Sequence, residues 1–461
     1  MEQQLSKKLE TRHISMIAIG GSIGTGIFLA SGYSISVAGP GGALAGYSIM
    51  AILVYFLMTS LGEMSAYNPS SGSLCDYSTK YVGKSFGFAM GYNYWLNWAI
   101  TIAAEISATA MITSYWFPQV NPVYFSLIFF AAVFICNLFA VTVYGEIEYW
   151  LSFLKVAVIV VFIVLGLLAI FHTPHFGADN WKIGDAPFHG GWLGFISVFL
   201  FAGFSFQGTE LVGVASGETK NPEVTIPKSI KMVFWRLVLF YILSILIIGL
   251  LVKYTDTRLT YQDNIGASPY TMVFAQYIGK YAGDLINLII LIALISAANA
   301  SMYSATRILW HLAKTKQAPQ QFAKLTRHGL PLNALIITAL IGSVVFVSSA
   351  IGNGKFFDYI VQISSLSGFI AWLGIATSHY YFRKRYMPSI GLTVDKLKYT
   401  AKFYPYAQLF SIFAICFIII AQFITFESNY KFIDFIAVYS AVILFIIIFI
   451  GHMIYTKLQR K

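Results

Sequence analysis

The chain has 461 residues, of which 57% are hydrophobic and only 11% are charged, and its mean hydropathy is +0.71. Soluble domains carry roughly 25% charged residues, so this composition excludes a soluble enzyme, a DNA-binding protein and a disordered hub. The net charge of +11 is therefore interpreted as an excess of cations on one side of a membrane, and not as a sign of nucleic-acid binding.

Twelve apolar stretches long enough to cross a bilayer follow a polar segment of 13 residues. They are expected near 14–38, 42–66, 86–116, 123–143, 150–171, 191–216, 232–252, 283–306, 332–350, 356–382, 404–426 and 432–455. The first stretch is too long for the apolar part of a signal peptide and no A-x-A site follows it, so it is predicted to remain as a helix. Residues 144–149, with Glu146 and Glu148, are predicted to form an interfacial turn, and 180–187 an external loop.

The positions of the cations predict the topology. If the N-terminus is cytoplasmic, 24 of the 30 Lys and Arg residues lie in cytoplasmic segments and 6 lie outside. Because cationic flanks resist translocation, this asymmetry predicts that both termini are cytoplasmic. The three cysteines, Cys75, Cys136 and Cys416, have no metal-ligand spacing and are expected to be buried apolar residues.

Glycines and polar residues interrupt two of the apolar stretches. Residues 20–26 read GGSIGTG, and their four glycines surround the helix instead of lining one face, which favours unwinding over close helix packing. Residues 203–210 read GFSFQGTE and interrupt the sixth stretch. The two interruptions occupy corresponding positions in two sets of five helices. This pattern is typical of the substrate site of an inverted-repeat transporter, where unwound backbone binds the substrate.

The residues around these interruptions resemble a known family. Arg12-His13 followed by MIAIGGSIGTG (16–26) resembles the first helix of amino acid permeases of the APC superfamily. FSFQGTEL (204–211), Gly217-Glu218, Asn221-Pro222 and Ile226-Pro227 resemble the sixth helix and the loop after it. The match continues at Gly62–Met64, Asn93–Trp98, Ser296–Arg307 and Gly368–Tyr380, and so covers nearly the whole chain. Within this family, the chain most resembles bacterial lysine-specific permeases. The segments that carry this resemblance are FSFQGTEL, WKIGDAPFHGG (181–191) and FIAWLGIATSHY (369–380).

This resemblance implies an all-α polytopic membrane protein with a LeuT-type five-plus-five inverted repeat and two additional helices, twelve transmembrane helices in total. Residues 1–13 are then a cytoplasmic tail, and 14–382 the inverted-repeat core, with helices 1–5 at about 14–172 and helices 6–10 at about 191–382. Residues 383–461 hold helices 11 and 12 and a cytoplasmic end. The resemblance also implies amino acid uptake driven by protons, here expected in a bacterial cytoplasmic (inner) membrane and without a cofactor.

The expected substrate site combines the two interruptions with polar residues of the third and eighth helices. Its residues are Gly20, Ser22, Ile23, Gly24, Thr25, Gly26, Glu105, Phe204, Phe206, Gln207, Thr209, Glu210, Ser296 and Asn299. The substrate α-carboxylate is expected at backbone amides of 22–26, and its α-amino group at carbonyls near Gly20 and Phe204. Glu105 is interpreted either as an acid that meets a cationic substrate side chain or as a structural acid bonded to a neighbouring helix.

Three residues are candidates for proton coupling. Lys155 either snorkels to the interface or, as the resemblance implies, places its ammonium where sodium-coupled relatives hold a cation. Glu210 either couples protons and contacts the substrate or ties down the unwound segment. Glu218 either couples protons or forms a gate or interfacial ion pair.

The expected function is import of an L-amino acid, namely L-lysine, by proton symport with alternating access. The alternatives left open are a permease or exchanger for arginine or for a neutral or aromatic amino acid, and an amino acid-sensing membrane protein with a signalling partner. The sequence contains no P-loop, HExxH or GxSxG motif, so neither ATP, a bound metal nor enzyme chemistry is expected. The expected partners are the substrate, protons and membrane lipids, without nucleic acid; no protein partner is inferred.

Overall fold

A computed structural model describes residues 23–70, 72–139, 141–211, 213, 222–260, 268–327, 329–425 and 432–459, without side chains at 141–147, 222–224, 232–233 and 236–237. All regular structure in these ranges is helical. A π-helical turn at Gly26–Ala30 leads into α1 (Ser31–Tyr67). The helices that follow are α2 (Lys84–Thr113), α3 (Pro122–Cys136), α4 (Val141–His172), α5 (Gly191–Phe206), α6 (Pro222–Leu237), α7 (Leu243–Leu251), α8 (Pro269–Tyr277), α9 (Lys280–Lys314), α10 (Leu332–Gly342), α11 (Asn353–Tyr381), α12 (Tyr406–Ala421) and α13 (Phe432–Leu458).

Eight helical segments in the described ranges are long and apolar enough to cross a membrane. They are Gly26–Tyr67, Lys84–Thr113, Glu148–His172, Lys280–Lys314, Leu332–Ile351, Asn353–Ser389, Tyr406–Thr425 and Phe432–Leu458. Shorter apolar helices occur at Pro122–Cys136, Gly191–Phe206 and Val238–Leu251. The described part of the chain is therefore all-helical, and the chain is a polytopic membrane protein.

α2 lies at the centre of the bundle, where it packs against both α9 and α11, while α1 packs along α5. A kink in α1 separates the first two predicted stretches. Gly39 has φ 71° and ψ 171°, a conformation that favours glycine, and Pro40 follows it. The backbone N–H groups of Gly41 and Gly42 donate to the carbonyl oxygen of Pro187, at 2.9 and 3.2 Å. The kink thus docks the loop that precedes α5 onto α1.

The interfacial turn predicted at 144–149 is wrong, because α4 is helical from Val141 onward. Glu148 belongs to this helix and its side chain has no exposed surface. A carboxylate raises the local polarity of the sequence and so resembles a helix boundary. Here an intramembrane partner offsets its charge.

The prediction that all three cysteines are buried is also wrong. Cys75 is buried, but Cys416 is half-buried and Cys136 is exposed. Cys136 ends α3 and Cys416 lies in α12, and both side chains keep some exposed surface. An apolar stretch alone does not distinguish a side chain that faces lipid from one that faces protein, since both environments accept a thiol.

Candidate functional site

The two predicted interruptions meet each other inside the bundle. Helical structure begins beside Thr25, and α5 ends at Phe206. A Cβ atom placed on Gly26 would overlap the backbone of Ser205. Glycine at this position therefore allows the backbone of the first break to lie directly against that of the second.

Glu105 of α2 binds the first break. Its carboxylate accepts hydrogen bonds from the backbone N–H of Thr25, at 3.2 and 3.3 Å to its two oxygens, and from the Thr25 hydroxyl at 2.7 Å. Both residues are buried. A Cβ on Gly24 would lie 2.7 Å from Glu105 Oε1, so the carboxylate reaches the backbone only because residue 24 has no side chain. A carboxylate at the first turn of a helix is also favoured by the helix dipole.

This contact agrees with the interpretation of Glu105 as an acid bonded to a neighbouring helix, and it lies inside the predicted substrate site. The carboxylate of Glu105 accepts a hydrogen bond from the Thr25 N–H, one of the backbone amides that were expected to bind the substrate α-carboxylate. Ile23 is buried beside this amide. Gly20 and Ser22 lie outside the described residues.

Gln207 and Gly208 form the second break. Gln207 ends α5 with an extended backbone (φ −60°, ψ 149°), and Gly208 follows with φ 93°, which favours glycine. The Gln207 amide nitrogen donates to the backbone oxygen of Ser364 in α11 at 3.0 Å, and the Ser364 hydroxyl donates to Gln207 Oε1 at 3.3 Å. The buried Thr209 hydroxyl has no hydrogen-bond partner in the described part of the chain.

Glu210 ties the second break to two other helices. Its carboxylate accepts from the backbone N–H of Gly208 at 3.1 Å, from Trp372 Nε1 at 3.3 Å and from the Tyr94 hydroxyl at 3.5 Å. The side chain is buried. These contacts favour the structural interpretation of Glu210, as an acid that holds the unwound segment in place.

Aromatic rings surround the end of α5. Phe206 is fully buried and stacks on Tyr241 with 4.8 Å between ring centroids. The hydroxyls of Tyr47 and Ser205 form a hydrogen bond of 2.9 Å, and the Tyr241 hydroxyl donates to the Ser205 carbonyl oxygen at 2.8 Å. Phe204 is also buried. Both phenylalanines of the predicted substrate site therefore lie at the second break.

Lys155 lies in a buried ionic cluster that the sequence analysis missed. Its ammonium is 3.4 Å from Glu148 Oε1, and both side chains are fully buried, so Lys155 does not snorkel to the surface. The Ser296 hydroxyl lies 2.9 and 2.8 Å from the two oxygens of Glu148. Lys155 also lies within electrostatic range of Glu105. The seven-residue spacing of Glu148 and Lys155, two turns along one helix face, is the sequence signal that would have identified the pair.

A line of polar side chains on α2 connects the two breaks. Asn93, Asn97, Thr101 and Glu105 follow each other at four-residue intervals and therefore share one face of the helix. The Thr101 hydroxyl pairs with that of Ser364 at 2.9 Å, and Ser364 contacts the second break. The fully buried Asn97 amide has no partner in the described part of the chain. Of these residues only Glu105 was predicted as part of a site, although the four-residue spacing of the other three is visible in the sequence.

One predicted residue of the described part of the chain remains separate from this arrangement. The side-chain oxygen of Asn299 accepts from Asn137 Nδ2 at 2.7 Å, and Asn299 is half-buried, so it is not brought to either break. Glu218 lies outside the described residues.

Comparisons with known proteins agree with the family suggested by the sequence motifs. The model of the amino acid permease family matches residues 13–461. The chain is 45% identical to the lysine-specific permease LysP of Escherichia coli (strain K12), over 97% of this chain and 93% of that protein. It is 43% identical to the lysine-specific permease LysP of Lactococcus lactis subsp. cremoris (strain MG1363), over 98% and 90%. It is 42% identical to the histidine permease HisP of the same Lactococcus strain, over 98% and 95%. The chain belongs to the amino acid permease family.

Proposed function

We propose that this protein imports L-lysine together with protons, as a secondary active transporter of the bacterial cytoplasmic membrane. The observation that carries the proposal is its identity of 45% and 43% with two lysine-specific permeases over nearly the whole chain. The proposal includes twelve membrane spans in a LeuT-type five-plus-five repeat, with both termini in the cytoplasm. The meeting of the two breaks at Gly26 and Ser205 supports this arrangement, because paired discontinuous helices form the site of such transporters.

In the proposed substrate site, the two breaks bind the α-carboxylate and α-amino groups of lysine. The Thr25 N–H suits both the substrate carboxylate and the carboxylate of Glu105, and two carboxylates repel each other at close range. Binding of substrate at this amide therefore requires Glu105 to take up a proton or to turn away. A Glu105 that turns away as an anion can accept the ammonium of the substrate. The buried amide of Asn97 and hydroxyl of Thr209 supply further hydrogen bonds.

For proton coupling, we propose that Lys155 gains and loses the transported proton while Glu148 and Ser296 hold it in place. The ion pair is fully buried, so loss of the proton leaves the Glu148 charge without its cationic partner in a medium that penalises isolated charges. The two states of Lys155 consequently favour different packing around α4. Glu210 and Glu218 remain the alternatives, although the Glu210 oxygens already hold the second break.

The test is uptake of labelled lysine into proteoliposomes with an imposed pH gradient. We expect accumulation when the inside is alkaline, inhibition by unlabelled lysine, and weaker inhibition by arginine and neutral amino acids. Better competition by any of the others would overturn the choice of lysine. Uptake that ignores the pH gradient but needs internal amino acid would instead identify an exchanger. Binding without transport would support the sensor alternative.

Coupling is tested with Lys155→Ala. We expect this variant to lose accumulation against a gradient and to retain lysine binding, whereas Lys182→Ala, which alters an exposed lysine of the loop before α5, behaves as the parent protein. Concentrative uptake by Lys155→Ala would refute the role of this residue.

Histidine is the second candidate substrate. The 42% identity with a histidine permease over 98% of this chain is nearly as high as that with the lysine permeases. Labelled histidine in the same proteoliposomes separates the two: a higher kcat/KM for histidine than for lysine would favour the second candidate.

A further inference from the structure

A cavity of about 560 Å³ opens at one end of the bundle, between α1, α6 and the segment that precedes α12. Three lysines, Lys228, Lys231 and Lys402, line it, and all three side chains are exposed. Its described lining contains no carboxylate, and no described carboxylate forms an ion pair with these lysines. We call this cavity the basic groove.

Aromatic side chains also line the basic groove. Tyr55 of α1 and Phe234 of α6 pack together with 4.6 Å between ring centroids, and Tyr399 lies on the opposite segment. Trp235 is 54% exposed, as expected for a tryptophan at a membrane interface. The basic groove therefore offers both cations and an apolar surface continuous with the outside of the bundle.

An acid that lies beside the basic groove, Glu63, is already paired with an arginine. Glu63 accepts a hydrogen bond from Arg383 Nε at 2.6 Å and a second from the other nitrogen of the same guanidinium. The backbone N–H of Ala401 also donates to Glu63. This contact fixes the backbone next to Lys402 and engages Glu63 with partners other than the lysines of the groove.

We propose that the basic groove binds the head group of an anionic phospholipid of the phosphatidylglycerol type. Its phosphate would lie among the three lysines, and an acyl chain would follow Tyr55, Phe234 and Trp235 outward. Basic pockets between membrane helices on the cytoplasmic side suit anionic head groups, and the proposed topology, on which this inference rests, assigns this end of the bundle to the cytoplasmic side. A soluble phosphate matches the lysines but makes no use of the aromatic surface.

The affinity for lipid tests this inference on the full-length protein, independently of which amino acid is transported. Phosphatidylglycerol and phosphatidylcholine with the same acyl chains are titrated into the detergent-solubilised protein, and bound lipid is counted by native mass spectrometry. We expect phosphatidylglycerol to bind at least tenfold more tightly. Replacing all three lysines by glutamine should weaken its binding about 100-fold, since each cation near a bound anionic lipid contributes about fivefold, and replacing them by arginine should preserve it.

The matched control replaces Lys84, Lys324 and Lys396 by glutamine. These are exposed lysines assigned to the same side of the membrane but outside the basic groove. Binding within twofold of the parent protein is expected. An equal loss in the control, retained affinity in the triple glutamine variant of the groove, or equally tight binding of glycerol phosphate without acyl chains would each overturn the inference.

Discussion

The buried pair of Glu148 and Lys155 gives the most quantitative prediction. Neither side chain is exposed, the charged atoms lie 3.4 Å apart, and the Ser296 hydroxyl contacts both carboxylate oxygens. Removing one member of such a pair leaves the other charge in a medium of low polarity. We therefore expect Glu148→Gln or Lys155→Met to lower the free energy of unfolding by about 3–5 kcal/mol each.

Ser296→Ala removes a hydrogen bond to the charged group but keeps the pair, so it should cost about 1.5–3 kcal/mol. The double variant Glu148→Gln/Lys155→Met removes both charges. Its cost should fall short of the sum of the two single costs by up to about 3 kcal/mol, the usual coupling between contacting residues. The assay is equilibrium unfolding in mixed micelles with a rising fraction of sodium dodecyl sulfate, followed by tryptophan fluorescence.

The control cycle combines Glu148→Gln with Lys182→Met, whose lysine is exposed in the loop before α5. These two changes should add within about 0.5 kcal/mol. If the Glu148 and Lys155 changes also add, the two residues do not act as a pair, and the coupling role proposed for the cluster loses its structural basis.

Three further predictions concern the breaks and the loop before α5. A Cβ in Gly26→Ala would overlap the backbone of the second break, so this variant should lose uptake and unfold at lower temperature, whereas Gly451→Ala, which faces open space, should match the parent protein. Glu105→Gln removes the anion at the first break and should change the KM for lysine; an unchanged KM would exclude Glu105 from recognition. In the loop, the hydrogen bond with His189 lowers the pKa of Asp185 to about 2. The ionised Asp185 carboxylate therefore stabilises the fold above pH 4, and this stabilisation is lost as the pH falls towards 2. The thermal midpoints of unfolding at pH 5 and pH 3 should consequently differ less in Asp185→Asn than in the parent protein.

Much of the site follows from local sequence features. The glycines at 24 and 26 and the Gln207-Gly208 pair indicated two breaks, because glycine and polar residues at bilayer depth need a reason that helix propensity does not give. The structure puts these breaks in contact. The sequence did not predict which group lies against each glycine. Gly24 lies against the carboxylate of Glu105, whereas Gly26 lies against the backbone of Ser205.

Other features depended on which helices become neighbours. Glu148 resembled the edge of an apolar stretch because its charge lowers the local hydropathy. A hydropathy value does not include the ion pair that Glu148 forms with the lysine two turns later. Asn299 was grouped with Ser296 because both lie on α9, yet one contacts Asn137 and the other contacts Glu148. Side chains three residues apart on one helix can face different neighbours, and only the packing of α3 and α4 against α9 separates them.

Both breaks share one solution to the problem of backbone polarity in a membrane. An unwound helix exposes N–H groups that lipid cannot bind, and a carboxylate from the protein meets an N–H group at each break: Glu105 at Thr25 and Glu210 at Gly208. Each acid in turn receives hydrogen bonds that offset the cost of its burial. The two differ in their remaining partners, since Glu210 is also held by Trp372 and Tyr94, whereas within the described part of the chain the carboxylate of Glu105 accepts hydrogen bonds from Thr25 alone. Under the proposed mode of substrate binding, we therefore expect a substrate carboxylate to displace Glu105 more readily than Glu210, so that the exchangeable anion lies at the first break.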